Sequence, residues 1–153
     1  MSLSETLGKL VGNWAGSNRL HVPWMEPPIK ESASTAAVSL KTQGKVLSIE
    51  YTWTFDGDPQ DGIMLISQDP KSETATMIYT DSWHLGHTFM ECKGTADENG
   101  NLNFKGFYAV PDHPDWGWRT EIIPGDDSFQ FKVYNVTPEG EESIAVEGDF
   151  TRA

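Results

Sequence analysis

Beyond its first dozen residues the chain alternates. In Ile49-Glu50-Tyr51-Thr52-Trp53-Thr54-Phe55 the odd positions are large and apolar and the even ones polar, the two-residue period of a strand with one buried face. Trp116, Trp118, Thr120 and Ile122 share one face against Arg119 and Glu121, and Phe129, Phe131 and Val133 alternate with Gln130, Lys132 and Tyr134. Turn signals separate such runs at Gln43-Gly44, Asp56 to Gly62, Asp69-Pro70-Lys71, Ser82 to Gly86, Asp97 to Asn101, Pro111 to Pro114, Pro124 to Asp127 and Pro138 to Gly140. This rhythm predicts about ten antiparallel strands. No long helical pattern intervenes, which excludes parallel βαβ units. So many strands in one open sheet would leave an apolar face uncovered. The expected fold class is therefore all-β, an antiparallel up-and-down barrel with a short N-terminal helix, closed on itself to bury that face and remove its edges. A two-sheet sandwich is the alternative, and short regular turns disfavour the Greek-key connections it needs.

Three segments depart from the rhythm. Ser4 to Val11 reads as a helix capped by Ser4, with Leu7, Leu10 and Val11 on one face and Gly12 ending it. Leu102, Phe104 and Phe107 sit near a small break at Gly106, where a bulge could bend the strand. Val22 to Lys30 holds three prolines and predicts a stiff connection, either a surface loop pinned by Trp24 or a lid over one barrel mouth. No shift in composition divides the chain, so residues 1–153 are expected to form one domain.

Composition narrows the partners. The 153 residues carry 11 basic and 23 acidic side chains, a net charge of −12, and the acids gather at the turns as a solvated rim. No basic stripe exists to neutralise phosphates, so nucleic acid and anionic membrane are not expected as partners. No calcium loop is present. Cys92 is the only cysteine, which rules out an intramolecular disulfide and fits a reducing compartment. It shares a face with Met90 and Thr88 and reads as a buried, inert thiol. No leader and no spanning apolar run is evident, and the expected location is cytoplasmic.

Gly12-Asn13-Trp14-Ala15-Gly16 opens the first strand and Phe150-Thr151-Arg152 closes the last. This pairing resembles the calycin barrels, the lipocalins and fatty-acid-binding proteins. The resemblance implies that the Trp closes one barrel end and that a basic side chain from the last strand lies over it. Together with Asp61-Gly62-Ile63-Met64-Leu65 and Tyr79-Thr80-Asp81-Ser82, these segments resemble a bacterial domain-of-unknown-function family, number 1579, that is lipocalin-like. The likeness spans nearly the whole chain and implies a fold, with no activity attached.

The residues themselves offer three functional readings. Trp24, Tyr51, Trp53, Tyr79, Trp83, Trp116 and Trp118 suit either a pocket wall for an apolar or aromatic ligand or a packed core. In the favoured reading the barrel binds a small, largely apolar ligand, with Trp24, Trp53, Tyr79, Trp83 and Trp118 lining or lidding the site and Asp81 or Arg119 orienting a polar end. For Arg119 the simpler reading is an outward side chain that pairs with Glu121 or a neighbouring strand. The second reading is a small enzyme using Asp81, His84 or His87 as acid or base at one mouth. The third is a filled-core interaction module that forms a homodimer. Paired carboxylates could meet inside as Asp81 and Glu50. The spacing of Asp81, His84 and His87 is loose for a metal trio, and solvated turn histidines are the simpler reading. His113 lies in a turn, and His21 is out of phase with Trp14. A haem ligand would have to be one of these histidines, and nothing fixes which. No phosphate loop, dinucleotide fingerprint or nucleophile elbow is present, so no cofactor, metal or catalytic residue is assigned.

Overall fold

The computed structural model describes residues 3–153, and for Leu3 and Ser4 the backbone alone, so the Ser4 cap lies outside the described side chains. Helix α1 (Leu3–Lys9) is followed by ten strands: β1 (Gly12–His21), β2 (Ile29–Lys41), β3 (Val46–Phe55), β4 (Asp58–Gln68), β5 (Ala75–Asp81), β6 (Met90–Ala96), β7 (Leu102–Val110), β8 (His113–Pro124), β9 (Ser128–Val136) and β10 (Glu142–Arg152). Each strand pairs with its sequence neighbours, and β1 pairs with both β2 and β10, closing an antiparallel barrel. The sandwich is thereby excluded.

Period-2 alternation positions the core. Ile49, Tyr51 and Trp53 of β3, Phe129, Phe131 and Val133 of β9, and Trp118, Thr120 and Ile122 of β8 are buried inside, while Glu50 and Thr52 lie on the outer wall. One end of the barrel is solid with aromatic rings. Trp14 meets Phe129 edge-on at 4.8 Å between ring centroids, Phe129 stacks on Phe150 at 4.8 Å, and Phe131 links Phe150 (5.9 Å) to Tyr51 (5.6 Å). Leu7 and Leu10 are buried in the same core as these rings. Val11, by contrast, is 39% exposed, because the helix ends at Lys9 and its period no longer applies.

The Arg152 guanidinium lies 3.9 Å from the Trp14 ring centroid, as the calycin resemblance implied. It also donates to the carbonyls of Val11 (2.7 Å) and Lys9 (2.8 Å), and Trp14 Nε1 donates to Leu10 O at 2.8 Å. The end of α1 is thus tied to the seam where first and last strands meet.

The expected bulge at Gly106 is not found. β7 and β8 stay in register through Gly106↔Trp118, and the shift falls later, between Tyr108 and Val110. Gly106 faces inward because a Cβ there would come within 2.7 Å of Cys92 Sγ and Met90 Sδ. The period is therefore preserved. Tyr108 follows Leu102 and Phe104 toward the interior, and Phe107 points outward, 60% exposed. The β6–β7 ladder ends at Lys93↔Lys105, so toward the open end Met90 to Cys92 and Gly106 to Val110 share no ladder pair.

Cys92 is fully buried, and burial pushes its thiol up to about 12. Thr88, expected on its face, is exposed and precedes β6. Ellman's reagent should modify native Cys92 roughly a hundredfold or more slower than in denaturant. Comparable rates in the two states would show that the β6–β7 seam opens readily.

Candidate functional site

At the end opposite α1, β5 leads into the loop 82–89 that returns to β6. Asp81, the last residue of β5, keeps the parity of Ala75, Met77 and Tyr79 and so points inside, where it is 2% exposed. Its Oδ2 accepts from Tyr51 Oη at 2.8 Å and from Trp53 Nε1 at 3.3 Å. Its Oδ1 accepts from the backbone N–H of Trp83 (2.8 Å) and of His84 (3.0 Å), and lies 3.1 Å from His84 Nδ1. Burial would raise this carboxyl, but His84, Tyr51 and the backbone donors more than offset that, holding it below the ordinary value. The same burial, with the Asp81 charge nearby, pushes the hydroxyls of Tyr51 and Tyr79 well above the ordinary tyrosine value.

The two backbone bonds from residues 83 and 84 are those of an Asx-type turn, and they fold the loop back over the barrel mouth. His84 is thereby swung inward. Its ring packs against Trp83 (4.7 Å), Trp118 (5.3 Å) and Trp53 (6.0 Å), and its side chain is 14% exposed. The solvated-turn reading thus fails for His84. It holds for His87, which is exposed, as is His113. His21 faces outward and meets Glu147 at 2.9 Å.

Beside His84 lies a cavity of about 260 Å³, lined by Tyr79, His84, Leu85, Met90, Tyr108, Trp118 and Asn135. Tyr79 and Trp118 rings lie parallel within 7°, centroids 6.4 Å apart, and Tyr108 stands at 80° to Trp118. Tyr108 Oη donates to Asn135 Oδ1 at 2.7 Å. Trp118 Nε1 is buried and has no hydrogen-bond partner. Deeper in lies a void of about 10 Å³, between Asn18, Tyr51, Trp53, Asp81, His84 and neighbouring apolar side chains. Buried side chains pack the middle of the barrel, and the 260 Å³ cavity lies at its mouth. Two larger depressions, about 770 and 470 Å³, lie on the outer walls and are open to solvent.

Of the seven residues expected to hold a ligand, Tyr79 and Trp118 line the cavity. Asp81, Trp53 and Trp83 stand behind His84 as its support. Two expectations are corrected. Arg119 has outward parity and is held on the outer wall by Glu142 (2.6 Å), Asn103 (2.8 Å) and Glu121 (3.1 Å), over the Tyr134 ring. Trp24 is 75% exposed, and its loop is anchored instead by Val22, 1% exposed, and by Met25 packed on the core. Glu50 is also outside, so no carboxylate pair forms with Asp81. Among the described residues no three His, Cys, Asp or Glu side chains gather as a metal site. No helix among them is long and apolar enough to cross a membrane.

Solved structures share this architecture. The crystal structure of Rv2717c from M. tuberculosis aligns with a TM-score of 0.69 at 11% identity, covering 100% of this chain and 98% of that one. The S-type phycobiliprotein lyase CPES from Guillardia theta aligns with a TM-score of 0.67 at 14% identity, covering 100% and 93%. Both are calycin-like barrels, and at these identities the likeness is one of fold. No curated protein matches the chain. The family described as "Protein of unknown function (DUF1579)" matches residues 3–152, and the chain belongs to that family.

Proposed function

We propose that the barrel binds a small, largely apolar, ring-bearing molecule in the cavity at its open end, in a reducing, cytoplasmic setting. The observation that carries this reading is the wall of that cavity. Five apolar or aromatic side chains surround two polar ones. A cavity of roughly 150 Å³ already admits benzene, so 260 Å³ takes a two-ring body. A barrel that accommodates a small ligand is also in keeping with the fold likeness to a phycobiliprotein lyase. Asp81, with both oxygens engaged by donors, suits the orienting of His84 better than the exchange of a proton of its own.

The probe is 1-aminonaphthalene, whose emission brightens and moves to the blue out of water. It should bind saturably at one site per chain. Leu85→Trp, which fills the cavity from a half-buried loop position, should weaken binding about tenfold or more. Absence of saturable binding by the wild-type protein, or unchanged binding by the filled variant, would overturn the assignment.

A further inference from the structure

The polar side chains of the cavity differ in how far the protein has satisfied them. Asn135 already accepts from Tyr108. His84 is satisfied at one pole only. Its Nδ1 faces Asp81 Oδ1 at 3.1 Å, and that carboxylate is itself immobilised by Tyr51, Trp53 and two backbone N–H groups. A carboxylate at Nδ1 places the proton of a neutral imidazole there and leaves the Nε2 lone pair for another donor. Three tryptophan rings fix the plane of the imidazole, and none of the hydrogen bonds described for His84 uses Nε2.

We propose that the cavity is selective for phenols, neutral ring-bearing molecules whose acidic hydroxyl donates to His84 Nε2; this rests on the ligand-binding reading above. A hydroxyl both donates and accepts. It can give its proton to His84, whose ring lies against that of Trp118 on the same wall. No Lys or Arg lines the cavity, the buried Asp81 carries a negative charge beside it, and the chain as a whole is at −12. A carboxylate or phosphate ligand would therefore enter unpaired and is disfavoured. The aromatic walls select a ring over an aliphatic alcohol.

The test compares 2-naphthol with 2-methoxynaphthalene, which keeps the acceptor oxygen and loses the donor. Wild-type protein should bind 2-naphthol about tenfold or more tighter. His84→Phe, which keeps a ring among the tryptophans, should bring the two affinities within about threefold. A second readout is spectroscopic. Excited naphthol passes its proton to a base in contact, breaking the O–H bond and forming N–H on Nε2. Emission of the anion is thus expected from the wild-type complex and emission of the neutral form from the variant. Equal affinities of the two compounds for wild-type protein would overturn the selectivity and leave ligand binding intact. Failure of both to bind would overturn ligand binding as well. The wild-type ratio decides the matter even if the variant does not fold.

Discussion

Asp81→Leu should lower stability by about 3–5 kcal/mol at neutral pH, with a fall in Tm of roughly 6–20 °C. The leucine is similar in size, so the loss comes from partners left behind. Tyr51 Oη and Trp53 Nε1 are buried in the interior and the N–H groups of Trp83 and His84 lie in the folded turn, and all four would lose their acceptor together. The Tyr51→Phe change removes one of those donors, so Tyr51→Phe with Asp81→Leu should cost less than the two single changes summed. Folding holds the Asp81 carboxyl below its ordinary value. Its stabilisation is therefore complete above the unfolded-state value of about 3.9 and is lost as pH falls through the folded-state value. Urea unfolding should show the wild-type advantage over Asp81→Leu at about pH 7 shrinking toward pH 3. A constant gap across that range, or a cost under about 0.5 kcal/mol, would mean that the carboxylate is not the organising group of the mouth.

What sequence reasoning could reach at this site depended on periodicity. Asp81 lies in phase with Ala75, Met77 and Tyr79, so its inward direction was readable, and the same parity put Arg119 outside and opposite Trp118. Asn135 continues the parity of Phe129, Phe131 and Val133, and that pattern points it inward. Tyr108 was hidden by Gly106. A glycine in a strand suggests a bulge, and a bulge reverses the parity of everything after it. Here the glycine instead makes room for two sulfur atoms, a packing reason that no local pattern carries. His84 and Trp83 lay beyond the reach of any period. Loop side chains have none, and their direction is set by hydrogen bonds from their own backbone to Asp81. Trp24 misled for the converse reason, since a large ring in a proline-rich loop need not be the one that anchors it; Val22 and Met25 do so.

Closure of the barrel concentrates at Trp14. Trp14→Ala should cost about 3–5 kcal/mol, as the indole is 2% exposed and its loss would leave a cavity beneath Phe129 and Phe150 that rings cannot collapse to fill. Arg152→Ala should cost less, about 1–2 kcal/mol, because the guanidinium is at the surface and contributes a cation–π contact and two bonds to carbonyls. The two losses should not add. With the ring gone, Arg152 keeps its bonds to Val11 and Lys9 but has no π face, so a double-mutant cycle should give a coupling of about 0.5–1 kcal/mol. Backbone amides along β1 and β10 should lose hydrogen-exchange protection before those of β3 and β4, because only the first pair closes the sheet across the length of the chain. Gly16 makes the same seam intolerant of side chains, since a Cβ there would run into the backbone carbonyl of Asp149. The strands therefore cannot drift apart and re-pair one residue out of register without bringing a larger residue to that point. Uniform loss of protection across all ten strands in Trp14→Ala would show that the barrel opens as one cooperative unit, with no weak seam.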